Sequence, residues 1–134
     1  MCVEVGGELL WHDKRCRVVL VKDTDYAGFC RVIWNAHVKE MTDLDGPGRA
    51  HCMRVVWAVE EALRSVMKPH KINLASFGNM TPHVHWHVIP RFAADAHFPN
   101  PVWGERQRVR SGRAGAPAKA GLRRLLAAKL LNLL

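Results

Sequence analysis

The sequence predicts an α+β fold, with an antiparallel sheet of about five strands, one long helix against it and a C-terminal helix. Three observations predict it. Short runs rich in β-branched and aromatic residues, bounded by turn residues, flank a central segment on both sides. That segment, residues 49–67, repeats apolar residues at spacings of three and four, the period of a helix with one buried face. Residues 83–91 alternate polar and apolar with period two, the pattern of a half-buried strand.

The elements follow in order. Glu8-Leu9-Leu10-Trp11-His12-Asp13 reads as a short strand ending in a polar turn, and Cys16–Val21 as a second strand. The cluster Asp23-Thr24-Asp25-Tyr26-Ala27-Gly28 is a turn, after which Phe29–Trp34 forms a third strand. These three make an antiparallel meander. A loop carrying His37 leads to the helix, which Thr42 or Asp43 is placed to cap. On the helix, Cys52, Val55, Val56, Val59, Ala62, Leu63 and Val66 share a face, and Pro69 ends it. Lys71–Phe77 is a fourth strand. Gly78–Pro82 turns the chain into His83–Arg91, giving a hairpin. Residues 92–101 read as an extended loop with Trp103 as the last large anchor. Leu122, Leu125, Leu126, Leu130, Leu133 and Leu134 mark a basic, leucine-rich C-terminal helix.

Composition narrows the function classes. The chain has 134 residues and 49% apolar content, enough for one ordinary domain. No run reaches the ~20 apolar residues of a membrane span, and the N-terminus lacks the pattern of a secretory signal. The four cysteines are scattered without CxxC spacing, which points to reduced, packed thiols and a cytoplasmic location. The net charge is +8, but residues 1–103 hold 12 basic and 11 acidic residues against 8 and 1 in 104–134. The basicity belongs to the tail, so the expectation is no specific nucleic-acid partner. We divide the chain into a catalytic body, 1–103, and a basic tail, 104–134. The expected place for the tail helix is against its own domain or a second subunit. A membrane-surface helix is the less favoured alternative.

The chemistry lies in His83-Val84-His85-Trp86-His87-Val88-Ile89. On a strand, the three imidazoles would share one face at intervals of about 6.6 Å. Each brings a donor and an acceptor that must be satisfied, so apolar residues would fill that face more cheaply. A row of imidazoles suits either a metal site or phosphate chemistry by a histidine nucleophile.

This segment resembles the signature of the histidine triad family of nucleotide hydrolases and transferases, matching it at every position from His83 to Ile89. Weaker similarity extends over roughly residues 9–103, and the departures described below suggest a divergent branch that resembles bacterial diadenosine tetraphosphate hydrolase-like proteins. The resemblance implies that His85 attacks an α-phosphorus and that His87 contacts the phosphate oxygens and donates a proton. It gives His83 the task of fixing the tautomer of His85. It implies a nucleotide substrate, dinucleoside polyphosphates foremost, a homodimer, and no required cofactor, with Mg²⁺ at most riding on a polyphosphate. Asn73 and Asn79 match family amide positions approximately and are assigned to phosphate or ribose.

Two departures stand out. The family's Ser or Thr three residues before the first triad histidine is Met80, leaving Thr81 as the neighbouring hydroxyl. A supporting histidine before the third strand is replaced by Phe29, with His37 or His12 as compensation. For the nucleoside slot, Leu9, Trp11, Val19, Phe29, Val32 and Ile33 are candidates that read mostly as ordinary core, whereas Trp103 lies beyond the last strand and can reach a site. Rival readings are a nucleotide-binding module with little turnover, a nucleoside phosphoramidate hydrolase, and a metal-dependent hydrolase that uses all three histidines.

Overall fold

The computed structural model describes residues 6–22, 25–109 and 115–133. Five strands, β1 (Glu8–His12), β2 (Cys16–Leu20), β3 (Cys30–Trp34), β4 (Lys71–Ala75) and β5 (His85–Arg91), form one antiparallel sheet in the order β1-β2-β3-β5-β4. The expected meander is present, and β5 inserts between β3 and β4. The connection between β4 and β5, residues 76–84, is longer than a tight hairpin turn. The strand begins at His85, so His83 lies just outside it.

Helix α1 (Gly46–Met67) starts three residues before the predicted segment, 49–67. Its cap is neither Thr42 nor Asp43 but Asp45, whose carboxylate accepts from Gly48 N at 2.7 Å. Pro47 sits in the first turn, where its missing N–H goes unused. Lys68, in a left-handed conformation, ends the helix just before Pro69.

Alternation sorts the sheet into two faces. Val18, Val32, Val84 and Val88 face α1 and bury its Val55, Val56, Val59 and Leu63. Trp11 and Val32, candidates for a nucleoside slot, belong to this helix-side core. Gly28 enters β3 where the chain passes Met67 closely. Its φ of 79° lies in the left-handed region, and a Cβ there would press on the Met67 sulfur, so the position favours glycine. Helix α2 (Lys119–Lys129) packs on α1 and β1, with Leu122, Leu126 and Leu130 fully buried in the same core. Arg123 donates to the Leu9 carbonyl, and Lys129 reaches Glu61 at 3.1 Å. Leu122, Leu126 and Leu130 of the expected leucine face are therefore spent on the chain's own domain, whereas Leu134 lies outside the described residues. Among the described residues, no helix is long and apolar enough to cross a membrane.

The second face carries Arg31 and Ile33 of β3 and His85, His87, Ile89 and Arg91 of β5. A loop, residues 92–109, returns over it. Tyr26, Phe29 and Ile89 form a small apolar cluster beneath this loop, joined by Val102.

Candidate active site

Register places the two histidines of β5. His85 stands opposite Ile33 and His87 opposite Arg31, on the face away from α1. Their ring centroids are 5.1 Å apart with planes at 89°. Nδ1 of His85 lies 2.6 Å from the His83 carbonyl. A carbonyl only accepts, so Nδ1 must carry the proton and Nε2 holds the lone pair. That is the tautomer a nucleophilic imidazole needs. Burial lowers the pKa of His85 below the ordinary histidine value. The His83 carbonyl opposes that shift, and the charges on Arg31 and His83 reinforce it.

His83 makes this bond through its backbone carbonyl and not through its ring. The imidazole of His83 turns away from His85: its Nε2 donates to the Trp34 carbonyl at 2.5 Å. Its Nδ1 is 3.4 Å from Nδ1 of His37. The row of three evenly spaced imidazoles is thus a facing pair plus a buried anchor. The reason lies in the backbone, because Val84 N bonds to the Val38 carbonyl and draws residues 83–84 toward the loop after β3. His37 stands beside His83, with ring centroids 5.4 Å apart. His12 is exposed at the end of β1.

The Phe29 substitution has a visible consequence. Its ring meets His87 edge-on, with centroids 5.5 Å apart, and Nδ1 of His87 is buried without a hydrogen-bond partner. Burial, then the charges on His85 and Arg31, push the His87 pKa down to about 4. In the free protein His87 is neutral near pH 7, with one N–H to offer.

Trp103 completes the cluster. It is half exposed, 4.9 Å from His87 and 4.8 Å from Phe77 by ring centroids. A buried clamp holds its loop in place. Arg91 donates from Nε to Asp95 Oδ2 at 2.8 Å and from Nη2 to Oδ1 at 3.0 Å. A further bond from Nη2 reaches the Asn100 carbonyl at 2.7 Å. Asp95 also accepts from the backbone N–H groups of Phe92, His97 and Phe98. Asn73 belongs to this clamp: its Oδ1 accepts from Arg91 Nη1 at 2.8 Å. The structure does not bring Asn73 to the histidines.

His85, His87, Asn79, Thr81, Trp103 and Arg31 line one cavity of about 390 Å³, together with Phe77, Gly78 and Met80. Asn79 is exposed at its rim, and Met80 is 97% exposed. A second cavity of about 440 Å³ lies against the same 76–82 connection, but no histidine lines it. The sequence reading missed Arg31. The signal was present, because Phe29, Arg31 and Ile33 share one strand face, and a cation between two apolar residues there asks for a partner.

Among the described residues, no cluster of three histidine, cysteine or carboxylate ligands within 4.8 Å of one another includes a triad histidine. Among the described residues, the one histidine, cysteine and carboxylate group with all ligand atoms within 4.8 Å is Asp13, Cys16 and His51, at the β1–β2 turn. Its atoms are already engaged. Asp13 takes His51 Nε2 at 2.6 Å on Oδ2 and the N–H groups of Arg15 and Cys16 at 2.8 Å on Oδ1. Burial pushes the Cys16 thiol far up, away from the thiolate a metal needs.

The model of the HIT domain matches residues 4–94. The chain belongs to the HIT family. Solved HIT-family structures align along nearly the whole chain. A histidine triad protein from Bradyrhizobium japonicum is 25% identical, with a TM-score of 0.67 and coverage of 95% of this chain and 92% of that one. Another, from Marinobacter aquaeolei VT8, is also 25% identical, with a TM-score of 0.68 and coverage of 96% and 89%. Among curated proteins, an AP-4-A phosphorylase of Mycobacterium tuberculosis is 27% identical over 85 residues. That match covers 59% of this chain, which spans 44% of its relative's length. HIT membership supports a nucleotide hydrolase or transferase activity.

Proposed function

We propose that the chain hydrolyses a nucleotide phosphoanhydride through a nucleotidyl-His85 intermediate and releases a nucleoside monophosphate. The observation that carries this reading is the bond from His85 Nδ1 to the His83 carbonyl, which presents Nε2 as a lone pair in a cavity. Nε2 attacks the α-phosphorus as the bond to the leaving group breaks. The ring, now bonded to phosphorus, is cationic, and its Nδ1–H stays on the His83 carbonyl. Water then attacks the phosphorus and the P–N bond breaks, dividing one difficult displacement into two. His87 offers its N–H to a phosphate oxygen, with Asn79 and Thr81 at the rim for the remaining oxygens. Phe77 and Trp103 give an aromatic wall against which a base can stack.

Dinucleoside polyphosphates such as diadenosine tetraphosphate are the leading substrates, in keeping with the name of the mycobacterial relative. The nucleophile requires no metal, and Mg²⁺ enters only with a polyphosphate. The reading includes a homodimer and a reducing, cytoplasmic compartment. The buried free thiols Cys16, Cys30 and Cys52 suit the latter. β4 is the outer strand on one side, with Leu74 exposed. Light scattering at twice the chain mass would support the dimer.

One observation favours a second reading. Met80 offers no hydroxyl to a departing phosphate, which suits either slow turnover or an amine leaving group. Product analysis with diadenosine tetraphosphate and adenosine phosphoramidate, with and without EDTA, tests the proposal. AMP release that survives EDTA supports the histidine nucleophile and ranks the two leaving groups. Tight AMP binding without turnover of either favours the binding module.

A further inference from the structure

Arg31 stands where a sheet residue of this fold gains nothing by being charged. It lies on the central strand β3, directly opposite His87, with Phe29 and Ile33 on the same face as buried apolar neighbours. An aliphatic side chain would pack there without a desolvation penalty. Instead the guanidinium is partly buried, its Nε is fully enclosed with no hydrogen-bond partner, and its Nη1 makes only a long contact of 3.4 Å to the Gly6 carbonyl. Among the described residues no carboxylate pairs with it. Its Cζ rests 5.9 Å from the centre of the Phe29 ring. The enclosed Nε is out of a ligand's reach, but the side chain is only partly buried and lines the cavity, so the charge and the remaining N–H groups of the guanidinium are open to an acceptor supplied by something else.

The cavity tells which acceptor. Of the residues lining it, Arg31 is the one with a permanent charge. The two histidines are held neutral by burial, and the rest are uncharged. The guanidinium is close enough that its charge depresses the pKa of both His85 and His87. A planar fork of donors beside a phosphorus nucleophile matches paired phosphate oxygens. It also stabilises the charge that gathers on them as the phosphorus is attacked.

We infer that Arg31 is a phosphate-anchoring residue, gripping from the β3 side the anionic oxygens of the nucleotide phosphate that His85 attacks. This rests on the proposed function and deepens it. It also gives the site a donor that Met80, on the opposing connection, cannot provide.

The test is calorimetric binding of AMP and of uncharged adenosine to the full chain and to Arg31→Gln and Arg31→Lys. A lost charged hydrogen bond predicts AMP binding weakened about 10- to 100-fold in Arg31→Gln, with adenosine binding unchanged. Arg31→Lys is expected to recover part of the AMP affinity, since a point charge replaces a fork. It carries the same comparison if Arg31→Gln fails to fold. Equal weakening of both ligands, or no change in either, overturns the inference while leaving the proposed function standing. A parent chain that binds no AMP overturns both.

Discussion

Nδ1 of His85 donates to the carbonyl of His83 at 2.6 Å, so the nucleophile is oriented by the backbone of its own triad and not by a second ring. The bond forms where the chain enters β5, with Val84 N bonded to the Val38 carbonyl and the Val84 carbonyl accepting from Trp34 N. A side chain at position 83 that keeps this backbone would preserve the tautomer.

The activity must then fall on the acid side with a limb below the ordinary histidine pKa. Attack needs neutral His85, and protonation removes the lone pair. Because the His85 pKa is lowered in the folded protein, kcat/KM stays level as pH drops to about 6.5 and declines only below it. Removing the Arg31 charge raises that pKa, so the limb of Arg31→Gln moves to higher pH. A parent limb centred above neutrality would contradict this.

Trp103→Ala should weaken adenosine binding by about 1–3 kcal/mol, the usual worth of base stacking on an aromatic side chain. Trp103 is half exposed, so its removal leaves stability nearly unchanged. Titration calorimetry and thermal melting separate the two effects. Unaltered adenosine affinity would remove Trp103 from the nucleoside slot.

Asp95→Ala leaves the Arg91 guanidinium buried without its carboxylate, and breaking such a pair costs about 3–5 kcal/mol. Urea unfolding measures it. The pH dependence has a definite sign. Burial raises the Asp95 pKa, but Arg91 and three backbone N–H groups outweigh it and hold the carboxyl below its ordinary value. The stabilisation is full above an unfolded pKa of about 3.9 and is lost as pH falls through the lower folded one. The variant should lack that part of the acid-unfolding slope. It should also bind AMP more weakly, since the clamp seats the Trp103 loop.

Leu126→Ala in α2 should cost about 2–5 kcal/mol, as for a fully buried core leucine. Denaturant unfolding decides. A loss below about 1 kcal/mol, within the range of surface changes, would place the helix off the domain.

Much of this molecule was legible from spacing. Period two located β5, and period 3.6 located α1, because each element buries one face. What spacing did not show was tertiary. The cap of α1 lies at Asp45, since Gly46-Pro47-Gly48 can enter a helix whose first turn needs few N–H groups. Asn73 stands on the site face but is recruited by Arg91, eighteen residues away in sequence, and no local pattern reveals that bond. The backbone bond that sets His85 leaves no trace in side-chain identity. Arg31 was readable from strand alternation, but a lone arginine in Cys30-Arg31-Val32-Ile33-Trp34 reads first as a solvent-facing position.

The most direct test is to quench the chain during turnover of diadenosine tetraphosphate or adenosine phosphoramidate and map any covalent adduct by mass spectrometry, beside His85→Asn. An AMP moiety is expected on the peptide containing His85, acid-labile as a phosphoramidate, and absent from a variant that still binds AMP but has lost nearly all turnover. Turnover retained by His85→Asn, or an adduct on another residue, would contradict the His85 nucleophile.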